Sequence, residues 1–332
     1  MSTMENAIQP YLKFICDPVS RKPLEIEISE QGTPSLVCKA SGLRYLFMED
    51  IPDLRPDAGI PLHGEKAEEI FSKHQAEKHN EVMRHYDQKP CHNYMALDNI
   101  PLGRWLREEK YAAWFKDLGF VVEVGAGKGA IAEVFKQHRG VTPFCIDLAY
   151  GSLKYVRRPP VEAPAALGSN LRLPLRDASA DMVVSYGVIH HTPDPIMSFR
   201  ELVRVLKPGG KLMLGVYSWE GLYRSLYFFV SPQVKAVRKV LGPQLGDLVL
   251  KVTAFPLYYL ALSFALAVFQ KSFFPGPRRS WEQFGDDFLT PFARFYMREE
   301  MISLGDALGL RLIAHEMGGA RKAHFYWFEK PA

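Results

Sequence analysis

The sequence predicts an α/β fold built on a mostly parallel sheet, and three observations carry that expectation. The first is Val121-Val122-Glu123-Val124-Gly125-Ala126-Gly127-Lys128-Gly129-Ala130, an apolar run that ends in three closely spaced glycines and turns helical over about 129–138. Glycine lets the chain turn sharply and lets a ligand lie on its N–H groups, and a helix start aims unpaired N–H groups at an anion. The second is Phe144-Cys145-Ile146-Asp147-Leu148, an apolar run reaching an acid twenty residues after Gly127, where a ribose diol needs a two-acceptor partner. The third is alternation. Strands are expected near 120–125, 141–147, 164–168, 181–187 and 211–217, with helices between them and the clearest over 195–206. Such an order gives a sheet covered on both faces, with ligands at the carboxyl ends of its strands, the Rossmann-like arrangement. The glycine loop alone leaves two ligands open, because Gly125, Gly127 and Ala130 also satisfy the G-x-G-x-x-G/A dinucleotide pattern.

At 332 residues, with 47% hydrophobic and 12% aromatic content, the chain can bury a full core and hold more than one unit. A net charge of only +4 argues against nucleic acid as a partner, while leaving room for a local basic patch. Cys16, Cys38, Cys91 and Cys145 form no C-x-x-C pair, so neither a disulfide framework nor a complete zinc site is expected, and a reducing cytoplasm is the expected compartment. The first twenty residues contain Glu5 and Asp17 and no long apolar core, unlike a secretory signal. Nothing in the sequence speaks to oligomeric state.

Residues 1–58 alternate apolar residues with turn residues, which predicts a small antiparallel β module. Residues 59–118 read as a helical linker and lid: a charged helical stretch from Gly64 to Gln88, a loop from Lys89 to Gly103 holding His92 and Tyr94, and a helix from Trp105 to Leu118 with one apolar side. The α/β core takes 119–217 and 281–332, closing with a helix to about Leu308 and two strands over 310–314 and 324–329.

Between them lies an insert, 218–280, with eight basic residues against Glu220 and Asp247, a net +6. Ser231-Pro232 reads as a helix start, and Val234, Val237, Val240 and Leu241 share a face opposite Lys235, Arg238 and Lys239, ending at Gly242. Val252 to Phe269 then runs eighteen residues without a charge, the bottom of the range for spanning a bilayer. The insert reads as a helical cap over the active site. The same features suit a cap that rests on an anionic membrane surface or admits a lipophilic substrate, and the third reading, a true transmembrane helix, would strand the following fold element across the bilayer from the fifth strand.

Leu173-Pro174-Leu175, then Asp181-Met182-Val183-Val184-Ser185-Tyr186-Gly187-Val188-Ile189-His190-His191-Thr192-Pro193-Asp194-Pro195, then Leu206-Lys207-Pro208-Gly209-Gly210-Lys211-Leu212 complete a pattern with the glycine loop. From about 120 to 216 it resembles the class I S-adenosylmethionine-dependent methyltransferases of the type 11 kind, in which a glutamate precedes the glycine loop and a K-P-G-G turn introduces the fifth strand. The resemblance implies a Rossmann-like seven-stranded methyltransferase sheet and S-adenosyl-L-methionine as cofactor. It implies that Glu123 organises the loop and meets the cofactor's ammonium, that Gly125, Ala126 and Gly127 pass along its aminoacyl tail, and that Asp147 takes the ribose hydroxyls with Leu148 beside the adenine. Where the family commonly carries an acid near the adenine amine, this chain has Gly168-Ser169-Asn170-Leu171, so Ser169 or Asn170 is the expected acceptor there. Tyr186 and Gly187 would back the methionine portion.

His190 and His191 are the acid–base candidates, against the plainer reading that the pair packs the cofactor shelf. Tyr94, Asp287, Arg294 and Tyr296 are the expected substrate contacts, and no metal is called for. The N-terminal module resembles the zinc-ribbon-type domain of the tRNA-methyltransferase activator family in degenerate form, with Ser20 and Ser41 near the second place of each C-x-x-C knuckle. The expected reaction is methyl transfer to an O or N atom of a small or lipophilic molecule. Its rivals are an RNA or protein methyltransferase that docks through the N-terminal module, and a cofactor- or lipid-binding protein without turnover.

Overall fold

The computed structural model describes residues 7–62, 71–88, 101–265, 267, 276–318 and 321–332. The N-terminal part forms short strands β1 (Glu25–Ile28), β2 (Pro34–Cys38), β3 (Leu43–Tyr45), β4 (Phe47–Met48), β5 (Ile51–Pro52) and β6 (Ile60–Pro61), followed by helices α1 (Lys73–Gln88) and α2 (Pro101–Arg107). The core alternates β7 (Val121–Val124), α3 (Ala130–Arg139), β8 (Phe144–Asp147), the single turn α4 (Tyr150–Leu153), β9 (Ala165–Leu167), β10 (Ala180–Tyr186), α5 (Pro195–Val205) and β11 (Leu206–Tyr217). The insert forms α6 (Leu222–Val252), α7 (Ala254–Ala265) and α8 (Pro277–Phe288), and the chain returns through α9 (Arg298–Ala307), β12 (Arg311–Met317) and β13 (Ala323–Glu329).

Seven strands make one sheet in the order β12-β13-β11-β10-β7-β8-β9. The five from β9 to β11 are parallel neighbours, and β13 runs antiparallel to both β11 and β12. Alternate residues explain the two layers. Val122, Val124, Val183 and Leu212 face α5, whereas Val121, Val184, Met213 and Trp327 face α3 and α2. The Lys207-Pro208-Gly209-Gly210 turn is a bulge within β11, because pairing jumps from Ala180–Leu206 to Met182–Lys211.

Three expectations need correction. The helix expected over 105–118 is split into α2 and a 3₁₀ segment, Glu109–Phe115. Residues six apart fall on opposite sides of a helix, and only a change of direction lets the Tyr111 ring stack on Trp105 at 4.1 Å. Ser231-Pro232 does not start a helix. α6 has begun at Leu222, and the Ser231 hydroxyl donates to the Phe288 carbonyl at 2.7 Å instead of capping. The expected split of faces also fails: Val234 is buried but Val240 is 81% exposed, while Lys235 is half-buried and donates to the Pro291 carbonyl. The stop at Gly242 is present as a non-helical residue inside α6.

The N-terminal strands share the core of the main sheet. Ile15, Leu36, Cys38, Tyr45 and Leu54 pack in one cluster with Val122, Ile146, Leu173 and Phe199. Ile15 bridges Leu175, and the Leu54 N–H donates to the Leu167 carbonyl at 2.9 Å, so the module covers the edge strand β9. Beside buried Cys16 and Cys38, the Asp17 carboxylate accepts from the Tyr45 hydroxyl at 2.6 Å and from the Ser20 hydroxyl. No group of three or more His, Cys, Asp or Glu among the described residues can hold a metal ion.

Candidate cofactor site and substrate chamber

The glycine loop sits where β7 and β8 end. Gly125 has φ +75°, and a Cβ there would lie 2.2 Å from a Val188 methyl, so the approach of the β10–α5 turn demands glycine. The N–H groups of Gly125 and Ala126 both donate to the Ile146 carbonyl, at 2.7 and 3.1 Å, and fix the loop over β8. Asp147 ends β8 with one carboxylate oxygen accepting the Gly127 N–H at 2.8 Å and the other the Ala149 N–H at 2.9 Å. Burial outweighs these bonds and holds its pKa above the usual carboxylate range.

Glu123 is 3% exposed and pairs across to Cys145, whose thiol lies 3.8 Å from the carboxylate. Burial pushes Glu123 up to about 8 and Cys145 well above a free thiol. Leu148 is half-buried beside the loop. In the third-strand turn, Ser169 and Leu171 are fully buried and the Ser169 hydroxyl accepts the Leu171 N–H at 3.2 Å, which leaves Asn170 as the partly exposed member. Tyr186 stacks on Phe325 with centroids 5.1 Å apart, and Gly187 donates its N–H to the Gly215 carbonyl.

His190 and His191 lie in a 3₁₀ turn after β10 and are both buried. His191 Nδ1 is 2.9 Å from the Phe292 carbonyl, which can only accept, so Nδ1 carries the proton and Nε2 presents a bare lone pair. Burial lowers its pKa to about 4. His190 has no hydrogen-bond partner for either ring nitrogen among the described residues, and burial holds it neutral. It packs on Tyr217 at 3.9 Å between centroids, as a shelf would. The two histidines therefore differ: only His191 has a defined tautomer.

Helix α1 crosses above this turn. Asp87 accepts the Gly151 N–H at 2.8 Å and the Tyr86 carbonyl accepts the Ser152 hydroxyl at 3.1 Å, tying α1 to the turn after Asp147. At its other side the Tyr86 hydroxyl donates to Asp286 at 3.4 Å and its ring sits edge-on to His191. Asp287 is a knot between elements. It accepts from Lys322, from Tyr258 at 2.9 Å and from Gln283 at 2.9 Å, and its carbonyl takes the Tyr223 hydroxyl. Arg294 and Tyr296 instead line a separate cavity of about 620 Å³ with Ile196, Trp219, Phe228 and Leu304. The structure thus separates Asp287 from the other two expected substrate contacts: its carboxylate is taken up by Lys322, Tyr258 and Gln283, and it is not in the lining of the cavity at Arg294 and Tyr296. Tyr94 and His92 lie outside the described residues.

Sequence reasoning missed Tyr86, Tyr217, Tyr223 and Lys322. Tyr217 carried a signal, as the last residue of a strand whose carboxyl end faces the site; Tyr86, on a charged helix with irregular apolar spacing, carried none.

This strand order, with a glutamate–glycine loop after the first core strand and an acid closing the second, is that of the Rossmann-like methyltransferase fold. Residues 122–214 match the family model described as "Methyltransferase domain", and the cofactor of this domain is S-adenosyl-L-methionine. Its positive-φ loop between two strand ends and its half-buried, two-oxygen acceptor at Asp147 fit that group. The human "Probable tRNA methyltransferase 9B" is 32% identical over 120 residues, 35% of this chain and 25% of that protein. The demethylmenaquinone methyltransferase of Renibacterium salmoninarum is 32% identical over 110 residues, 32% of this chain and 46% of that protein. The chain therefore spans a quarter to just under half the length of these curated relatives. Among solved structures, 1,6-didemethyltoxoflavin-N1-methyltransferase from Burkholderia thailandensis overlays with a TM-score of 0.46 at 12% identity, covering 80% of this chain and 93% of that one.

Proposed function

We propose that the protein transfers a methyl group from S-adenosyl-L-methionine to an O or N atom of a small, lipophilic molecule. The carrying observation is the roof over the strand ends. α1 is tied to the turn after Asp147 on one side, and on the other Tyr217, Tyr223, Tyr227, Phe288 and Phe295 pack in one aromatic cluster between the end of β11 and the cap. Neutral aromatic walls favour an apolar guest over a polyanion. The names of the two relatives point to different acceptors, tRNA and demethylmenaquinone, and the aromatic roof supports the second kind.

The cofactor supplies a methyl already activated on a sulfonium, so what the protein must provide is alignment and exclusion of water. Asp147 and the glycine loop it fixes orient one side, while α1 and the cap keep solvent out. His191 Nε2 is the lone pair available to take the proton that the acceptor loses.

Two measurements test the reading. S-adenosylhomocysteine at a hundred times its dissociation constant is expected to add about 2.7 kcal/mol of stability, seen as a clear rise in Tm that Asp147→Ala abolishes. Labelled methyl from the cofactor should then enter solvent-extractable material from a cell extract. Label confined to RNA or protein would overturn the lipophilic acceptor, and no Tm shift would overturn the cofactor.

A further inference from the structure

We infer that the cap is a docking surface for an anionic lipid bilayer. α6 has two apolar faces. Tyr223, Tyr227, Ser231 and Val234 form the buried one, packed on α8 and the chamber roof. On the opposite side Leu222, Leu226, Phe229 and Val240 recur at helical spacing, and they are 72, 43, 76 and 81% exposed. Beyond the break at Gly242 the pattern continues with Leu245, Leu248 and Val252, at 52, 59 and 70%. Helix α7 repeats it with Leu257, Leu260 and Phe264, at 72, 64 and 68%. Scattered exposed apolar residues need no explanation, but stripes on three consecutive helical segments do.

Charge selects the occupant. Lys239, Lys251, Arg278 and Arg279 are exposed on the same insert. Its two acids, Glu220 and Asp247, are both engaged: Asp247 pairs with Arg238 at 2.8 Å, and Glu220 with Arg321 at 3.8 Å. Apolar side chains that sink to the acyl boundary, with lysine and arginine left among the headgroups, are the features of a helix lying in an anionic interface. A second copy would bring another insert of net +6 against the first, which like-charge repulsion opposes. No single helix among the described residues is long and apolar enough to cross a membrane. The one pair that passes by composition, Leu222–Val252 with Ala254–Phe264, is bent by 52°. The inference goes beyond the methyl-transfer reading and does not need it, because vesicle binding is measured without turnover.

The test is co-sedimentation of the full chain with vesicles of phosphatidylcholine alone and of phosphatidylcholine mixed with phosphatidylglycerol. Binding to the anionic vesicles is expected to be at least about tenfold stronger and to weaken with added salt. Leu222→Ser, Phe229→Ser and Leu257→Ser combined should abolish it while leaving Tm unchanged, since all three side chains are exposed. Failure to bind either vesicle overturns the inference, as does binding that the triple substitution does not reduce. A dimer in light scattering that the same substitutions dissociate would also overturn it, by showing that the face is covered by a second copy.

Discussion

Glu123 shows how a residue legible in the sequence acquires a property that only the fold supplies. A glutamate before a glycine loop is visible as a pattern, yet its burial against Cys145 is what raises its pKa to about 8 from the ordinary 4.5. Between those two values the folded chain holds a proton that the unfolded chain has released, so stability falls as pH rises across that window. Glu123→Gln keeps the shape without the charge. Without cofactor it is expected to raise Tm by a few degrees at pH 8 and by little at pH 5, while weakening S-adenosylhomocysteine binding; a variant with the same Tm offset at both pH values would contradict this. His191 runs the other way. Its folded pKa of about 4 lies below the ordinary 6.5, so its contribution is fully present above pH 6.5 and is lost as pH falls toward 4. His191→Gln should therefore flatten the decline in stability below pH 6.5 and lower kcat by about 10² or more. An unchanged kcat would remove His191 from proton transfer. The choice between the two histidines was not legible in His190-His191, because it depends on a carbonyl, that of Phe292, contributed from about a hundred residues later.

At the scale of elements, the alternation of strands and helices in the core was legible because each strand is buried on both faces and each break carries glycine or proline. The cap was legible only in part. Gly242 could be read as a stop, and its φ of 77° and ψ of 161° lie in a region that glycine alone occupies comfortably. Pro232 could not be read as interior, because α6 begins upstream at Leu222, where Tyr223 and Tyr227 pack into the aromatic cluster. Nor could the outward stripes, since periodicity assigns an apolar face to the core by default and a helix with two such faces is ambiguous. Gly242→Ala isolates the backbone. Nothing lies within 4 Å of the added Cβ, so any cost is conformational strain and not a clash. A loss of about 1–3 kcal/mol is expected in urea denaturation, and a loss near zero would show that α6 runs straight through this residue in solution.

For the whole molecule, the N-terminal strands that the sequence pattern sets apart up to residue 58 share one core cluster with the main sheet. Pattern reading separates the short N-terminal strands from the α/β core because their periods differ, but contacts between distant segments leave no local trace. Ile15 against Leu175, Leu54 against Leu167 and the Arg172 guanidinium on the Pro18 and Val19 carbonyls, at 2.8 and 2.7 Å, are all of this kind. A shared core predicts shared unfolding. The chain offers a direct readout, because Trp105, Trp114, Trp219, Trp281 and Trp327 all lie outside the N-terminal strands. Leu36 is fully buried in β2, and Leu36→Ala should cost about 2–5 kcal/mol by cavity formation. If the strands and the sheet unfold together, that loss appears undiminished in the tryptophan-monitored midpoint, although no tryptophan is near the substitution in sequence. An unshifted tryptophan transition beside an earlier change in far-UV circular dichroism would instead establish the N-terminal strands as a separate folding unit, and edge strand β9 would then have to be stable without its cover.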